Sequence, residues 1–200
     1  MTIHSLWPTL LWENNLDPTV ALTVAQSILP PDQELRSWSD VRPWSSTDLL
    51  HEEELWAWAV NNILEQARSY ADAQGILYKE LYISSMWVNA QYQRQNHQAH
   101  VHANSLFSGV WYLDVPLGSQ CFMLFDPRPA SGVFKPRNRY TVGNISVAPS
   151  AGLVLMWPSW LQHSTQSITV DELDRPRVAI AFNVMLRDDI DQHSQRINLQ

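Results

Sequence analysis

The second half of the chain consists of short apolar segments separated by turns that contain proline or glycine. Pro116-Leu117-Gly118, Pro127-Arg128-Pro129 and Pro149-Ser150-Ala151-Gly152 mark three of these turns. Between the turns, the residues follow the alternating or continuous apolar pattern of β-strands. The strand-like segments are residues 81–88, 106–115, 121–125, 140–147, 152–157 and 178–185. Several short strands at this spacing predict a β-sandwich or jelly roll.

The first 75 residues have the pattern of helices instead. Asp17-Pro18 is a typical helix start, and Pro30-Pro31 predicts the end of that helix. A stripe of apolar residues at helical spacing, followed by Gly75, predicts a longer helix from about Asp48 to Ala73. Residues 32–47, between the two helices, are predicted to form a loop.

Length and composition indicate one globular domain. A chain of 200 residues can bury a substantial core, and 45% apolar with 16% charged residues is not the composition of a disordered chain. We therefore predict a single α+β domain. Its helical part spans about residues 1–75, and its strand-rich part, a β-sandwich or a jelly roll, spans about residues 80–187. A polar tail follows at residues 188–200.

The charge of the chain argues against a nucleic-acid partner. The formal net charge is −7, and no cluster of Lys or Arg is present to follow a phosphate backbone.

The N-terminal sequence lacks a signal-peptide pattern and no apolar run is long enough to span a membrane. We therefore expect a cytoplasmic protein without membrane contact, either a monomer or a homodimer. The single cysteine, Cys121, excludes an internal disulfide.

Two histidines, His100 and His102, lie one residue apart just before the strand-like segment 106–115. Because side chains of an extended segment repeat every two residues, both imidazoles project from the same face and can bind one metal ion. His163 follows a predicted strand and a proline turn, and a jelly roll can place distant strands side by side. The pattern alone is compatible with two interpretations: the three histidines form one metal site, or they lie apart and serve unrelated roles.

Arg177 begins an alternating apolar strand in a part of the chain with few cations. A guanidinium at the mouth of an apolar barrel can bind a carboxylate through two parallel hydrogen bonds. The alternative is an exposed arginine at a strand end, paired with Asp171, Glu172 or Asp174.

Six motifs together resemble the iron(II)- and 2-oxoglutarate-dependent oxygenases, and within them the group of small bacterial and phage oxygenases. The motifs are Trp87-Val88-Asn89, His100 to Ser105, Ser108 to Leu113, Phe125-Asp126-Pro127-Arg128, Trp157 to His163, and Arg177 to Asn183. Trp7-Pro8-Thr9 and Trp44-Ser45 extend the resemblance toward the N-terminus. It therefore covers about residues 7 to 183, in the order typical of the group. Within it, Asp126 and Arg128 are interpreted as a turn or an ion pair.

The resemblance implies an α+β fold in which the N-terminal helices pack against a double-stranded β-helix core, a cupin-like jelly roll. It also implies an enzyme that uses Fe(II), O2 and the cosubstrate 2-oxoglutarate to hydroxylate a small molecule or a peptide side chain, with release of succinate and CO2. The implied metal ligands are His100, His102 and His163. The residues implied to bind 2-oxoglutarate are Arg177, Tyr112, Asn89 and Ser108, where Arg177 and Tyr112 would hold its far carboxylate. The residues expected to line the substrate pocket are Trp111, Asn104 and Trp160.

His102 departs from the wider superfamily, which places Asp or Glu at this position to form a 2-His-1-carboxylate triad. Three imidazoles would leave the iron with one negative charge fewer. Alternatively, His102 lines the pocket, and water or a nearby carboxylate completes the ligand set. Two other classes also stay open: a non-enzymatic cupin-like module that binds zinc, nickel or a small ligand, and a three-histidine dioxygenase that needs no cosubstrate.

Overall fold

A computed structural model describes residues 8–92, 94–129, 133, 143–166 and 173–187. The predicted polar tail, Trp7, the first part of the predicted strand 140–147, and both Asp171 and Glu172 lie outside these residues. None of the helices in the described part of the chain has the length and hydrophobicity that a membrane crossing requires.

The helical elements lie in the first part of the chain, as the sequence predicts. They are α1 (Thr19–Ile28), α2 (Asp32–Ser37), two single-turn 3-10 helices (Leu50–Glu52 and Glu54–Trp56) and α3 (Ala57–Ala73). The strands are β1 (Trp12–Asn15), β2 (Trp44–Ser45), β3 (Glu80–Gln91), β4 (Phe107–Asp114), β5 (Phe122–Phe125), β6 (Asn144–Val147), β7 (Leu153–Pro158), β8 (His163–Thr165) and β9 (Arg177–Arg187).

The strands form two antiparallel sheets, which is the architecture of a jelly roll. The larger sheet has the order β1-β7-β4-β9-β3-β2, and the smaller sheet has the order β6-β5-β8. Neighbours such as β4 and β9 are far apart in sequence, so the order depends on long-range pairing. The predicted α+β jelly-roll class is confirmed.

The helices cover one face of the larger sheet. Trp56, Ile63 and Tyr70 from the helical part pack with Trp111 and Ile180 of the sheet in one buried cluster. The even-numbered residues of β9 from Val178 to Val184 belong to this cluster. Because strand side chains alternate, the odd-numbered residues of β9 point to the opposite face, toward the smaller sheet.

Two predictions for the helical part are wrong in detail. The longer helix begins at Ala57 instead of near Asp48, because the preceding segment pairs with β3: Met86 N donates to Asp48 O at 2.8 Å. The predicted loop 32–47 contains the short helix α2, whose first and fifth residues, Asp32 and Arg36, form an i,i+4 ion pair at 2.6 Å.

Two glycines are required where the chain packs most closely. A side chain at Gly109 of β4 would collide with the ring of Phe182, and its Cβ would lie 2.9 Å from Leu155 O. Gly152 precedes β7 with φ +91°, and a Cβ there would lie 2.6 Å from Leu16 O. The space that a side chain would need is therefore occupied by the Phe182 ring at Gly109 and by the backbone of Leu16 at Gly152.

Candidate active site

A cavity lies between the two sheets, and its empty space, including the open solvent at its mouth, is about 610 Å³. Strands β3, β4 and β9 form its floor, and β5, β8 and the segment before β4 face them. The lining residues are Trp87, Asn89, Gln91, His97, His100, His102, Gly109, Val110, Tyr112, Phe122, Trp157, His163, Ser164, Thr165, Arg177, Ala179, Ala181 and Phe182.

Strand register explains why these side chains share one face. Asn89 of β3, Ala179 of β9 and Tyr112 of β4 form one row across the floor. In the next row, the residue at the centre is Ala181. The two alanines at the centre of the floor have small side chains, which leaves room for a ligand between the sheets.

The three histidines of the sequence prediction meet at one end of the cavity. His100 and His163 exchange two backbone hydrogen bonds of 3.0 Å, so the segment before β4 pairs with β8. His102 N donates to Ser159 O at 3.0 Å, which brings the next turn of this segment to the same edge. As a result, one ring nitrogen from each histidine lies within 4.8 Å of the other two.

The ring orientations fit a metal site. The Nδ1 atoms of His100 and His163 lie 2.7 Å from Gln98 O and 2.9 Å from Leu161 O, which assigns the proton to Nδ1 and leaves Nε2 as the electron-pair donor. The Nε2 atoms of His102 and His163 are 3.2 Å apart. Two nitrogens that bind one ion at right angles, each at about 2.1 Å, lie about 3 Å from each other.

The cavity keeps two of these imidazoles neutral. Burial lowers the pKa of His102 from 6.5 to about 4, and the neighbouring His100 lowers it further. Burial likewise lowers the pKa of His163 to about 3, against the opposing effect of its hydrogen bond to Leu161 O. At neutral pH both rings therefore have a free electron pair for a metal ion.

Arg177 lies inside the cavity. It is 4% exposed and donates to Gln91 Oε1 and, at 2.9 Å, to Gln120 O. Its guanidinium carbon is 5.5 Å from the centre of the Tyr112 ring. Burial lowers the pKa of Arg177 and raises the pKa of the Tyr112 hydroxyl.

The alternative position for Arg177, an exposed strand end, is wrong. Asp174 is bound by Arg175 at 2.9 Å, and within the described part of the chain no carboxylate forms an ion pair with Arg177. A buried guanidinium whose partners are neutral has the electrostatic character of an anion-binding site.

Asn89 also lines the cavity, as the sequence predicts. Its Oδ1 accepts a hydrogen bond of 2.6 Å from the Ser45 hydroxyl. The Nδ2 group has no hydrogen-bond partner among the described residues, so it is available to an acceptor in the cavity.

Ser108 and Trp111, two of the predicted site residues, do not line the cavity. The hydroxyl of Ser108 lies 2.8 Å from the Ser159 hydroxyl and donates to Asn183 Oδ1 at 2.7 Å, so it is used inside the protein. Trp111 lies on the opposite face of β4 and packs against Trp58 on the helical side. Those two predictions are wrong, because Ser108 is hydrogen-bonded internally and Trp111 alternates away from Val110 and Tyr112.

Asn104 and Trp160 lie in loops outside the cavity lining. Asn104 is exposed in a turn with φ +56°, and Trp160 is 57% exposed. Neither side chain belongs to the residues that line the cavity, so their assignment to the substrate pocket is corrected.

The sequence analysis missed several lining residues. Gln91 follows Asn89 by two residues on β3, so strand alternation could have predicted that it shares the same face. Trp87 belongs to the same face by the same argument. His97 lies in the loop before the three histidines, and its backbone is held to Thr165 by hydrogen bonds of 2.9 and 3.1 Å. Because this loop has no regular periodicity, the sequence pattern could not predict that the His97 side chain lines the cavity.

The Asp126 and Arg128 motif forms the predicted ion pair. Arg128 donates to Asp126 Oδ2 at 2.7 Å and to Oδ1 at 2.9 Å, next to the end of β5. Neither residue lines the cavity.

Comparison with known proteins agrees with this geometry. Residues 85–183 match a family model described as "Putative 2OG-Fe(II) oxygenase". The matched segment contains all three histidines, Tyr112 and Arg177. No curated protein matches the sequence significantly.

Solved structures with low sequence identity share the fold. A prolyl-4-hydroxylase from Pseudomonas putida is 11% identical, with 89% of this chain and 88% of that chain covered, at a TM-score of 0.55. The viral collagen prolyl hydroxylase of Paramecium Bursaria Chlorella virus-1 is 11% identical, with 88% and 96% covered, at 0.56. HygX from Streptomyces hygroscopicus, with nickel and 2-oxoglutarate bound, is 12% identical, with 89% and 82% covered, at 0.53.

Proposed function

We propose that this chain, whose residues 85–183 match the model of the 2OG-Fe(II) oxygenase family, is such an oxygenase and hydroxylates a small molecule or a peptide side chain at the cavity between its sheets. In this proposal, His100, His102 and His163 bind Fe(II), while Arg177 and Tyr112 hold the far carboxylate of 2-oxoglutarate. The carrying observation is that one cavity contains both a three-nitrogen cluster and a buried guanidinium without an anionic partner among the described residues.

The iron, when bound, supplies the chemistry that couples O2 reduction to the decarboxylation of 2-oxoglutarate and the oxidation of a substrate. The residues of the chain orient the metal ligands and exclude water from the site. Backbone carbonyls fix the Nδ1 protons of His100 and His163, so their Nε2 atoms face the metal position. Phe122 and Trp157 pack against His163 at ring-centre distances of 5.6 and 4.7 Å, which excludes water from this side of the site.

His102 is proposed as the third ligand in place of a carboxylate. Its Nε2 is 3.2 Å from that of His163, a spacing that supports a shared ion. No Asp or Glu is found among the described residues that line the cavity, so this part of the chain offers no carboxylate to complete the set. A ligand set of neutral nitrogens leaves more positive charge on the metal than the usual triad, which favours the binding of anionic 2-oxoglutarate.

The experiment that tests this function is turnover of purified protein with Fe(II) and 2-oxoglutarate under air. We expect succinate and CO2, and the rate of succinate formation should rise when the correct substrate is added from a metabolite or peptide panel. Protein that binds iron but not 2-oxoglutarate would instead support a cupin-like binding module. Oxygen consumption that is independent of 2-oxoglutarate would support a three-histidine dioxygenase without a cosubstrate.

A further inference from the structure

The guanidinium of Arg177 is oriented by neutral groups. Gln91 Oε1 and Gln120 O accept from its two terminal nitrogens, so two of its five N–H groups are used within the protein. Among the described residues, none accepts a hydrogen bond from the remaining N–H groups and no carboxylate pairs with the positive charge, so both are available to a ligand. A carboxylate at either acceptor position would orient the side chain equally well but would neutralise it.

The side chain of Gln91 is itself fixed. Gln91 is 2% exposed, and its Nε2 donates to Gln95 O at 2.6 Å, which turns its Oε1 toward Arg177. Gln95, also 2% exposed, accepts from Tyr92 N and donates to Ser39 O, each at 2.8 Å. This chain of hydrogen bonds determines which end of the Gln91 amide faces the guanidinium.

We propose that Gln91 is a specificity-determining residue: as a neutral acceptor, it orients Arg177 without cancelling its charge, so the cavity selects a dicarboxylic 2-oxo acid over a monocarboxylic one. This inference rests on the proposed function, in which Arg177 holds the far carboxylate of 2-oxoglutarate. It adds the residue that keeps this charge available.

The physical basis is the strength of an ion pair in a buried site. A guanidinium without an anionic partner attracts an incoming carboxylate strongly, because water competes little for either group. If a Glu replaced Gln91, its carboxylate would pair with Arg177 and repel the far carboxylate of the ligand. A 2-oxo acid that lacks this carboxylate would not experience the repulsion.

The test compares two five-carbon acids, 2-oxoglutarate and 2-oxovalerate, by calorimetric titration of the Fe(II)-loaded protein without oxygen. The wild-type protein should bind 2-oxoglutarate about tenfold or more tightly than 2-oxovalerate, as expected for one charged hydrogen-bonded pair. In Gln91→Glu, the affinity for 2-oxoglutarate should fall by about tenfold or more, while the affinity for 2-oxovalerate changes by about twofold at most. The ratio of the two dissociation constants therefore approaches one.

General damage to the site would weaken both acids together, which separates it from a change in selectivity. Gln66→Glu is the matched control, because Gln66 is also buried but lies at the contact of α3 with Trp12 and Asn14, outside the cavity. This control should retain the wild-type ratio.

A neutral variant keeps the proposal testable if Gln91→Glu does not fold. Gln91→Met removes the acceptor that orients Arg177 but adds no charge, so its preference for the dicarboxylate should fall below that of the wild-type protein but stay above that of Gln91→Glu. An unchanged preference in folded Gln91→Met, or in folded Gln91→Glu, would overturn the role of Gln91. Wild-type protein that binds neither acid would instead contradict the proposed function itself.

Discussion

His102 is the residue on which the ligand set depends. Loss of a residue that only hydrogen-bonds to a metal ligand lowers metal affinity by up to about 100-fold. If His102 binds the iron directly, His102→Ala should lower the affinity for Fe(II) by more than this. His97→Ala is the matched control, because His97 lines the same cavity but is not part of the three-nitrogen cluster. Anaerobic titration with Fe(II) measures both variants. Equal affinity in the two variants would show that His102 only lines the cavity.

The buried histidines also predict a pH dependence for the metal-free protein. The pKa values of His97 and His163 are lowered from 6.5 to about 4 and about 3, mainly by burial. Well above pH 6.5 both rings are neutral in the folded and unfolded states, so there they contribute no pH dependence. As pH falls below 6.5, the unfolded chain binds protons that the folded chain does not, and the free energy of unfolding decreases.

Urea unfolding of metal-free protein at pH 7 and pH 5 measures this effect. Wild-type protein should lose more stability between these two values than a His97→Gln variant, which has no titrating ring at that position. A variant and wild-type protein with the same pH dependence would show that His97 is protonated equally in both states.

At the scale of single residues, sequence patterns predicted the site unevenly. His100, His163 and Arg177 lie in recognisable motifs, and the structure brings them into one cavity. Trp111 does not line the cavity, because strand alternation places its side chain on the face of β4 opposite to Tyr112. His97 belongs to an irregular loop, where no local pattern predicts the direction of a side chain.

At the scale of elements, the close approach of β4 to its neighbours predicts a sensitive position. Gly109→Ala should lower the free energy of unfolding by about 3 kcal/mol, because the new methyl group collides with Phe182 and Leu155 in the centre of the larger sheet. Gly75→Ala is the control: its φ of +67° makes alanine unfavourable by about 1 kcal/mol, but nothing lies within 4 Å of the new Cβ. Urea unfolding compares them. Equal losses would contradict the packing explanation.

Long-range pairing explains which element boundaries the sequence did not predict. The start of α3 at Ala57 depends on the pairing of Asp48 and Leu49 with Met86 of β3. Strand β8, only three residues long, exists because His163 to Thr165 pairs with β5 on one side and His100 pairs with it on the other. Neither partner is near in sequence, so local propensity has no information about it.

At the scale of the whole molecule, the two faces of the larger sheet have different roles: one is packed against the helices α1 and α3 in the largest buried cluster, and the other lines the cavity and forms its floor. The turn spacing predicted a β-sandwich or a jelly roll, and the resemblance to the oxygenases selected the jelly roll. The strand order and the meeting of the three histidines were not predictable from spacing, because they depend on which distant strands pair.

The central claim is that one cavity binds iron through three histidines and, beside it, 2-oxoglutarate through Arg177. The most direct measurement is the absorption spectrum of Fe(II)-loaded protein during titration with 2-oxoglutarate without oxygen. Chelation of the iron by the 2-oxo acid should produce a metal-to-ligand charge-transfer band that saturates at one 2-oxoglutarate per chain and is absent in Arg177→Ala at the same concentration. Iron-loaded protein that develops no such band at any 2-oxoglutarate concentration would contradict the claim.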